Sequence, residues 1–363
     1  MARTLFVVSD ALWTGRARAL VSAARGLAAR GGGHTALVIA DPSSATHAEA
    51  MRSVEGGGGH FQGIQLLALP PRSRKGGAAR LHALRVAIRD SEADAVFVHS
   101  DTDHLAVGLA MVGLRRKPAL VRRIAVGERV RPTRVGRVAE RFAGATHLLI
   151  GRPGIDRVEA ESPRFRVELG VRVPDHVATE MAAATPLIAC AYDVGATIHA
   201  SRVLRAVTML RKRHRQLTLC MIASADVPER LRMQAAALGL SRVVRWLSVP
   251  AQADELLPQA WALVVAVGGD DAVFATLDGM AHGVPIVAPR AALFERYVAN
   301  GISGILLDSF DAPACAAALA TLLSDAERRS AMGGAARARV ARDYPESEYI
   351  AGLEALLRSI AST

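Results

Sequence analysis

The chain has 363 residues, of which 51% are hydrophobic and only 4% aromatic, and its formal net charge is +11. This length suits two domains that each bury a core, and the aliphatic composition suits helices packed on parallel strands. The three cysteines are scattered without metal-ligand spacing, so no disulfide framework or cysteine-based metal site is expected. No apolar stretch is long enough to span a membrane, and the apolar run at the N-terminus is too short for a signal peptide, so a cytoplasmic protein is expected.

Strand and helix patterns alternate along the first half of the chain. Apolar runs predict strands at residues 4–8, 34–40, 64–69, 95–99, 119–124 and 147–150, and helical periodicity lies between them at 16–30, 79–89 and 134–142. Gly15 comes just before the first of these helices. From the residues alone, Gly15 is read as part of a plain loop before this helix.

The second half repeats this alternation. Strands are predicted at residues 186–192, 217–223, 243–247, 262–267, 285–288 and 304–307. Alternating strands and helices of this size predict parallel sheets with helices on both faces, hence the α/β class. The polar, Ala-rich segment 167–186 is the expected linker. We therefore predict domains at residues 1–170 and 171–345, followed by a terminal helix within 346–363.

Two acidic residues follow the strand predicted at 262–267. Asp270 and Asp278 are eight residues apart, and a helix is expected to begin near Asp271, just after Gly268 and Gly269. Helix N-termini offer backbone amides to anions, and ionised carboxylates accept hydrogen bonds from sugar hydroxyls. The pattern therefore predicts a ligand site at the carboxyl edge of a sheet. The alternative is that the first acids only cap the helix.

The same region resembles a known family. The run LDGMAHGVPIVAP, the later Glu295 and the run VANGISGILLD resemble the donor-binding half of GT-B-fold retaining glycosyltransferases, glycosyl transferases group 1 or family-four type. The resemblance implies GT-B architecture, with two Rossmann-like, doubly wound parallel-sheet domains facing a central cleft. It also implies that Asp270 contacts the donor sugar and Asp278 the ribose. The other donor-binding residues that it implies are Gly15, Gly268, Gly269, Val273, Phe274 and Glu295.

The sequence departs from that family at its catalytic cations. An Arg and a Lys are expected after the first strand of the second domain, but Tyr192 and Asp193 occupy the first position and Thr197 or Ile198 the second. Developing negative charge on a leaving diphosphate needs preorganised cations or dipoles. The candidate replacements are His199, Arg202 and Arg205, which follow the first strand of the second domain, and Arg290, which follows the strand predicted at 285–288. The predicted catalytic set is Asp270, Arg290 and His199.

Positive charge is concentrated in the first half. Residues 1–180 hold 27 basic and 17 acidic residues, a net +10, and residues 115–141 alone hold ten basic residues. This patch indicates an anionic acceptor or an anionic membrane surface on the inner face, and a solvated basic face is the plain alternative. Nucleic acid is not expected as a partner, because stacking aromatic residues and known motifs are missing. The candidate acceptor or membrane residues are Arg122, Arg123, Arg134, Arg137 and Arg141.

Together these patterns predict a metal-independent glycosyltransferase of the retaining type. The nucleotide sugar would be a co-substrate, and no resident cofactor or metal ion is expected. The acceptor would be a glycan, a lipid or a small molecule. Two alternatives stay open: a catalytically degenerate GT-B protein that binds a nucleotide sugar or glycan or acts as a partner subunit, and a nucleotide-sugar epimerase.

Overall fold

The computed structural model describes residues 2–30, 35–39, 46, 64–68, 77–128, 138, 146–151, 163–175, 185–195, 197–248 and 253–362. The chain divides into two compact units. The first unit comprises Met1–Leu169 together with Glu346–Thr363, and the second unit comprises Gly170–Pro345. These divisions lie one residue or less from the domain limits expected at 170 and 345.

Thirteen described strands form two sheets in which every pairing is parallel. In chain order they are β1 Thr4–Val8, β2 Thr35–Ile39, β3 Ile64–Ala68, β4 Ala95–Val98, β5 Ala119–Ile124, β6 Thr146–Ile150, β7 Arg164–Arg166, β8 Leu187–Tyr192, β9 Thr218–Ile222, β10 Val244–Leu247, β11 Ala262–Ala266, β12 Ile286–Pro289 and β13 Gly304–Leu307.

Helices connect most of these strands. The described helices are α1 Gly15–Ala29, α2 Gly77–Asp90, α3 Asp101–Ala110, α4 Ile198–Leu210, α5 Glu229–Ala237, α6 Ala253–Leu256, α7 Gly269–Ala281, α8 Ala292–Tyr297, α9 Ala312–Ser324, α10 Ala326–Asp343 and α11 Glu346–Ala361. A 3₁₀ turn, Leu257–Gln259, follows α6. None of the helices in the described ranges combines the length and the apolarity needed to cross a membrane.

Both sheets are doubly wound. The first has the order β3-β2-β1-β4-β5-β6-β7 and the second β10-β9-β8-β11-β12-β13. The strand order reverses between β1 and β4 in the first sheet and between β8 and β11 in the second. In open parallel sheets the crevice at such a switch point, beyond the carboxyl ends of the strands, is where ligands bind. The predicted fold class of two doubly wound parallel sheets is therefore confirmed.

The burial of the strands explains why apolar runs in the sequence predicted their positions. β1, β4 and β11 are buried along their whole length because helices cover both faces of a parallel sheet, and such strands are near-continuous apolar runs. Phe6 and Phe97 stack with their centroids 4.6 Å apart on neighbouring strands of the first sheet. In the second unit, α4 and α9 contribute to one core with β8, β9 and β11.

The terminal helix α11 belongs to the first unit and packs on α1. The Tyr349 hydroxyl donates to the Ala19 carbonyl at 3.2 Å, and Arg25 forms an ion pair with Glu346. Gly26 lets the two helices approach, since a β-carbon there would overlap the Ile350 side chain. Two differences from the sequence prediction stand out. The short strand β7 was not predicted, and the expected helix 134–142 lies outside the described residues except for position 138.

Candidate functional site

The switch point of the second sheet brings together several of the predicted site residues. β8 and β11 lie side by side, with Tyr192 opposite Ala266 at their carboxyl ends. The next helix after β8 is α4, which carries His199, and the helix after β11 is α7, which carries Asp270 and Asp278. β12 and β13 continue the same edge and lead to Arg290 and Asp308. The residues singled out in this half therefore share one sheet edge.

Helix α7 begins earlier than expected. Gly268 is the N-cap residue, with an extended backbone and no side-chain cap, and Gly269 is the first helical residue with a φ of 63°. That left-handed φ favours glycine strongly. The helix therefore starts two residues before Asp271, and the N-cap residue is Gly268 rather than an acid. Asp270 and Asp271 lie in the first turn, where acids are favoured by the helix dipole.

This early start changes which amides point out of the helix. The Ala272 amide already donates to the Gly268 carbonyl at 3.3 Å, so only the amides before Ala272 lack an acceptor within the helix. Val273 and Phe274 lie beyond that point and their side chains are buried. The helix thus begins four residues before Val273, and the donor-binding roles of Val273 and Phe274 stay predictions.

The two acids of the motif differ in environment. Asp270 is buried, with 2% of its surface exposed, whereas Asp278 is half-buried. Eight residues on an α-helix rotate the side chain by about 80° and advance it by about 12 Å, so Asp270 and Asp278 lie on different stripes. Asp271 and Asp278 are seven residues apart and lie on nearly the same stripe. Sequence reasoning considered Asp271 only as a cap and missed this alignment.

Arg290 and Glu295 are brought together beyond β12. The Arg290 guanidinium binds the Asp308 carboxylate and lies 3.7 Å from a Glu295 carboxylate oxygen. The Arg290 amide donates to the Leu307 carbonyl at 2.7 Å, which fixes the backbone at the sheet edge. Both acids are at least half exposed, and exposed ion pairs contribute only about 0–1 kcal/mol. Arg290 can therefore exchange these acids for an anionic ligand at little cost.

His199 does not replace the missing cation. Its ring packs edge-on against Phe310 with centroids 5.1 Å apart, and Arg202 lies 3.5 Å from its Nδ1. Burial, and then the charge of Arg202, lower the pKa of His199 below its usual 6.5, so the ring is neutral at pH 7. Its predicted charge-neutralising role is corrected accordingly. The cation at this position is Arg202, which donates to the Phe310 carbonyl at 3.0 Å.

The positions where the family would carry its Arg and Lys hold no cation. Tyr192 is buried, and burial raises the pKa of its hydroxyl to about 12. Thr197 is buried and Ile198 is 58% exposed. Asp193 accepts a hydrogen bond from the Gly195 amide at 2.7 Å and so closes a local turn. This loop therefore presents an Asp and an apolar side chain at the switch point.

Two of the predicted basic-patch residues are not surface residues. Arg122 and Arg123 lie in β5, an interior strand, and are 6% and 2% exposed. Arg122 forms ion pairs with Asp101 at 2.6 Å and with Glu128 at 2.9 Å. Their burial in an interior strand contradicts the predicted membrane contact, and their predicted contact with an acceptor stays a prediction. Arg134, Arg137 and Arg141 lie outside the described residues.

The switch point of the first sheet carries a polar cluster that sequence reasoning largely missed. Asp10 follows β1 and His99 follows β4, and their Oδ2 and Nε2 atoms are 2.9 Å apart. Thr14 donates to the same Asp10 oxygen at 3.0 Å and also caps α1, whose first residue is Gly15. The available signal was simple: each of the two residues comes directly or almost directly after a buried strand.

A buried network lies beside this pair. The Ser9 hydroxyl contacts Asp103, which also accepts from Ser100 at 2.8 Å, and Arg80 donates to Ser9 at 2.5 Å. His104 is buried on α3 with its Nε2 2.9 Å from the Thr146 hydroxyl. Where the structure describes the chain, no three His, Cys, Asp or Glu side chains are grouped so as to hold a metal ion.

Comparison with known families matches the second unit. The model described as "Glycosyl transferases group 1" matches residues 181–339. D-inositol 3-phosphate glycosyltransferase of Corynebacterium jeikeium is 36% identical over 150 residues, 39% of this chain and 36% of that protein. A GDP-mannose-dependent alpha-(1-6)-phosphatidylinositol monomannoside mannosyltransferase of Mycolicibacterium smegmatis is 27% identical over 161 residues, 42% of each chain. The alignment thus spans about a third to two fifths of the length of these relatives.

Solved structures match the whole chain at low identity. Anabaena Alr3699/HepE, crystallised with UDP and glucose, has a TM-score of 0.72 at 14% identity, covering 99% of this chain and 100% of that one. WaaG, a glycosyltransferase involved in lipopolysaccharide biosynthesis, has a TM-score of 0.67 at 16% identity, covering 99% and 100%. These similarities establish the fold, and the family model matches residues within the second unit. The chain therefore has the GT-B fold, and its residues 181–339 match the glycosyl transferases group 1 family.

Proposed function

We propose that the protein transfers a sugar from a nucleotide-diphosphate donor, held by the second unit, to a hydroxylated acceptor held by the first unit. This proposal rests on one observation: the residues that match the family model include a helix that begins at the switch point of the second sheet. The group 1 match covers residues 181–339, and within it α7 begins at the topological switch point, with acids in its first turn and again two turns later. That is where an open parallel sheet binds its ligand.

The donor diphosphate would lie at the N-terminus of α7. Amides at a helix N-terminus and the positive end of its dipole favour an anion. Gly268 leaves room there, because a β-carbon at that position would meet no atom within 4 Å. Asp278 would accept hydrogen bonds from ribose hydroxyls and Asp270 from the donor sugar. Gly269 and Glu295 would line the same edge.

Bond breaking would place negative charge on the leaving diphosphate. In a metal-independent, retaining reaction this charge is stabilised by fixed cations and dipoles. Arg290 and the start of α7 would supply that stabilisation, since both lie at one sheet edge. The bond from the sugar to the diphosphate oxygen would break, a bond to the acceptor oxygen would form on the same face of the sugar, and the acceptor hydroxyl proton would pass to the leaving diphosphate. No resident cofactor takes part in this scheme.

The names of the relatives suggest an acceptor class. One acts on D-inositol 3-phosphate and another on a phosphatidylinositol monomannoside. We infer a polyol or a glycosylated polyol as the acceptor. A lipid-linked acceptor would bring the protein to the inner face of a membrane, where the exposed residues Arg115, Arg116 and Lys117 would meet anionic headgroups. Failure of the protein to bind vesicles of phosphatidylglycerol at low salt would rule out the membrane part.

A second candidate function is that of a catalytically degenerate binding protein. The observation in its favour is that the family's Arg and Lys positions hold Tyr192 and Thr197 or Ile198, and that His199 is neutral. Such a protein would bind a nucleotide sugar or a glycan, or serve as a partner subunit, without turnover. The epimerase alternative has no comparable observation in its support.

The proposal is tested by turnover. Purified protein is incubated with UDP-glucose, GDP-mannose or an ADP-sugar, with and without D-inositol 3-phosphate, in EDTA, and released nucleotide and glycosylated product are quantified. We expect product from at least one donor, with the anomeric configuration of the donor retained by NMR. Asp270→Asn should lower kcat more than it raises the KM for the donor. Binding of a donor without any turnover would favour the degenerate alternative instead.

A further inference from the structure

Asp10 lies at the switch point of the first sheet. β1 and β4 are neighbours whose onward connections run to opposite sides, and Asp10 and His99 meet between their carboxyl ends. The corresponding switch point in the second unit lies between β8 and β11, the strand that leads into α7. An open parallel sheet leaves a crevice there into which side chains after the strands project. The crevice of the first unit thus presents a carboxylate.

The Asp10 carboxylate is held in one orientation. Oδ2 receives hydrogen bonds from the ring of His99 and from the Thr14 hydroxyl, at 2.9 and 3.0 Å. A carboxylate oxygen only accepts, so both partners act as donors. His99 is only 1% exposed, so its ring is fixed by packing. Two donors from different elements therefore fix the plane of the carboxylate.

The second oxygen of Asp10 is available. No described residue donates to Oδ1, and the side chain is 29% exposed. Burial alone would raise the pKa of Asp10, but the hydrogen bond and charge of His99, the Thr14 hydroxyl and the charge of Arg16 lower it below the usual 3.8. The group is therefore ionised at neutral pH. An ionised, oriented carboxylate with one open oxygen is a strong acceptor for a ligand hydroxyl.

We propose that Asp10 binds a hydroxyl group of the acceptor through Oδ1, and that His99 and Thr14 position it. This inference rests on the proposed function. The substrate class that it implies is a polyhydroxylated acceptor, a sugar or a polyol, rather than one recognised by apolar contacts alone. His99 and Thr14 are positioning residues, since they touch Asp10 and not the ligand.

A purely structural role for Asp10 makes different predictions. In that case the carboxylate only fastens the residues between β1 and α1 through Thr14 and His99. Its loss would then lower the melting temperature and leave ligand affinity unchanged in the molecules that stay folded. A ligand-binding role instead lowers affinity for hydroxylated probes in folded protein. Direct binding to the folded variant separates the two.

The test measures acceptor binding without a donor, so that it does not depend on turnover. D-inositol 3-phosphate, myo-inositol and mannose are titrated by calorimetry into the wild type, Asp10→Asn and the control Asp94→Asn. Asp94 matches Asp10 well: it is a hydrogen-bonded carboxylate, 32% exposed, at the opposite edge of the same sheet. We expect at least one probe to bind the wild type and Asp10→Asn to bind it at least about tenfold more weakly, since a hydrogen bond to an ionised carboxylate is stronger than one to a neutral amide. Asp94→Asn should bind as the wild type does.

A second measurement uses the wild type alone, in case Asp10→Asn does not fold. The ring signals of His99 should shift in NMR spectra when the bound probe reaches saturation, and those of His147, which lies in β6 on the far side of β5, should not. Binding of no probe to the wild type, equal affinity in Asp10→Asn, or an unmoved His99 signal at saturation would overturn the inference. Failure of donor turnover with intact probe binding would count against the proposed function and not against Asp10.

Discussion

At the scale of single residues, the buried side chain of His104 makes the folding stability of the protein depend on pH. It is 2% exposed, and burial, then the charge of Arg122, lower the pKa of His104 to about 4, with Asp101 acting in the opposite direction. In the unfolded chain its pKa would be about 6.5. Between these values the unfolded chain binds a proton that the folded chain excludes. The stability that His104 contributes is therefore complete above pH 6.5 and is lost as the pH falls towards 4.

We predict that, as the pH falls, the free energy of unfolding decreases less in His104→Gln than in the wild type. Gln can keep a hydrogen bond to the Thr146 hydroxyl but does not titrate. Between pH 7 and 4, the wild type should lose roughly 3 kcal/mol more unfolding free energy than the variant, the equivalent of the pKa difference. Urea unfolding at several pH values measures this. Other groups titrate in both proteins, so parallel curves for wild type and variant would contradict the assignment.

At the scale of elements, the strands were the most predictable part. All six strands expected in each half exist, with ends within two residues, because buried parallel strands are continuous apolar runs bounded by turns. Strand β7 was not predicted because its sequence, Arg-Phe-Arg, contains no apolar run; the strand lies at the edge of the first sheet. The start of α7 was misplaced because no propensity rule anticipates a helix whose first residue, Gly269, has a positive φ.

Helix α10 offers a matched pair of glycines for testing the packing of the second unit. Gly333 is buried against Gly283, the residue with a φ of 71° that follows α7, and a β-carbon at Gly333 would overlap the Gly283 carbonyl oxygen. Gly334 is exposed on the same helix, and a β-carbon there would meet nothing within 4 Å. The two glycines are therefore neighbours in the same helix, but one is packed against another segment and the other faces open space.

We predict opposite signs for the two alanine substitutions. Gly333→Ala should destabilise the protein by about 1–3 kcal/mol, since backbone must move to relieve the overlap. Gly334→Ala should stabilise it by about 1 kcal/mol, because alanine favours the helix. Thermal unfolding of both variants beside the wild type measures the difference. A stabilised Gly333→Ala would show that α10 does not approach Gly283 as described.

At the scale of the whole molecule, the sequence indicated at which sheet edge a ligand site is expected. It did not indicate which charged residues pair with one another. Asp270 and Asp278 were found because they flank a strand-to-helix junction in a run that resembles a family. The sequence did not reveal ion pairs between residues distant along the chain: Arg290 with Asp308, Arg122 with Asp101, and Asp10 with His99. Such contacts depend on sheet order, which composition and periodicity do not determine.

The central claim is that the second unit binds a nucleotide sugar at the start of α7. Isothermal titration of UDP-glucose and GDP-mannose into wild type, Asp278→Asn and the control Glu327→Gln, an exposed acid on α10, tests it most directly. We expect the wild type and Glu327→Gln to bind at least one donor with equal affinity, and Asp278→Asn to bind it about tenfold or more weakly, because a charged hydrogen-bond acceptor is lost. Absence of donor binding to the wild type, or unchanged affinity in Asp278→Asn, would contradict it.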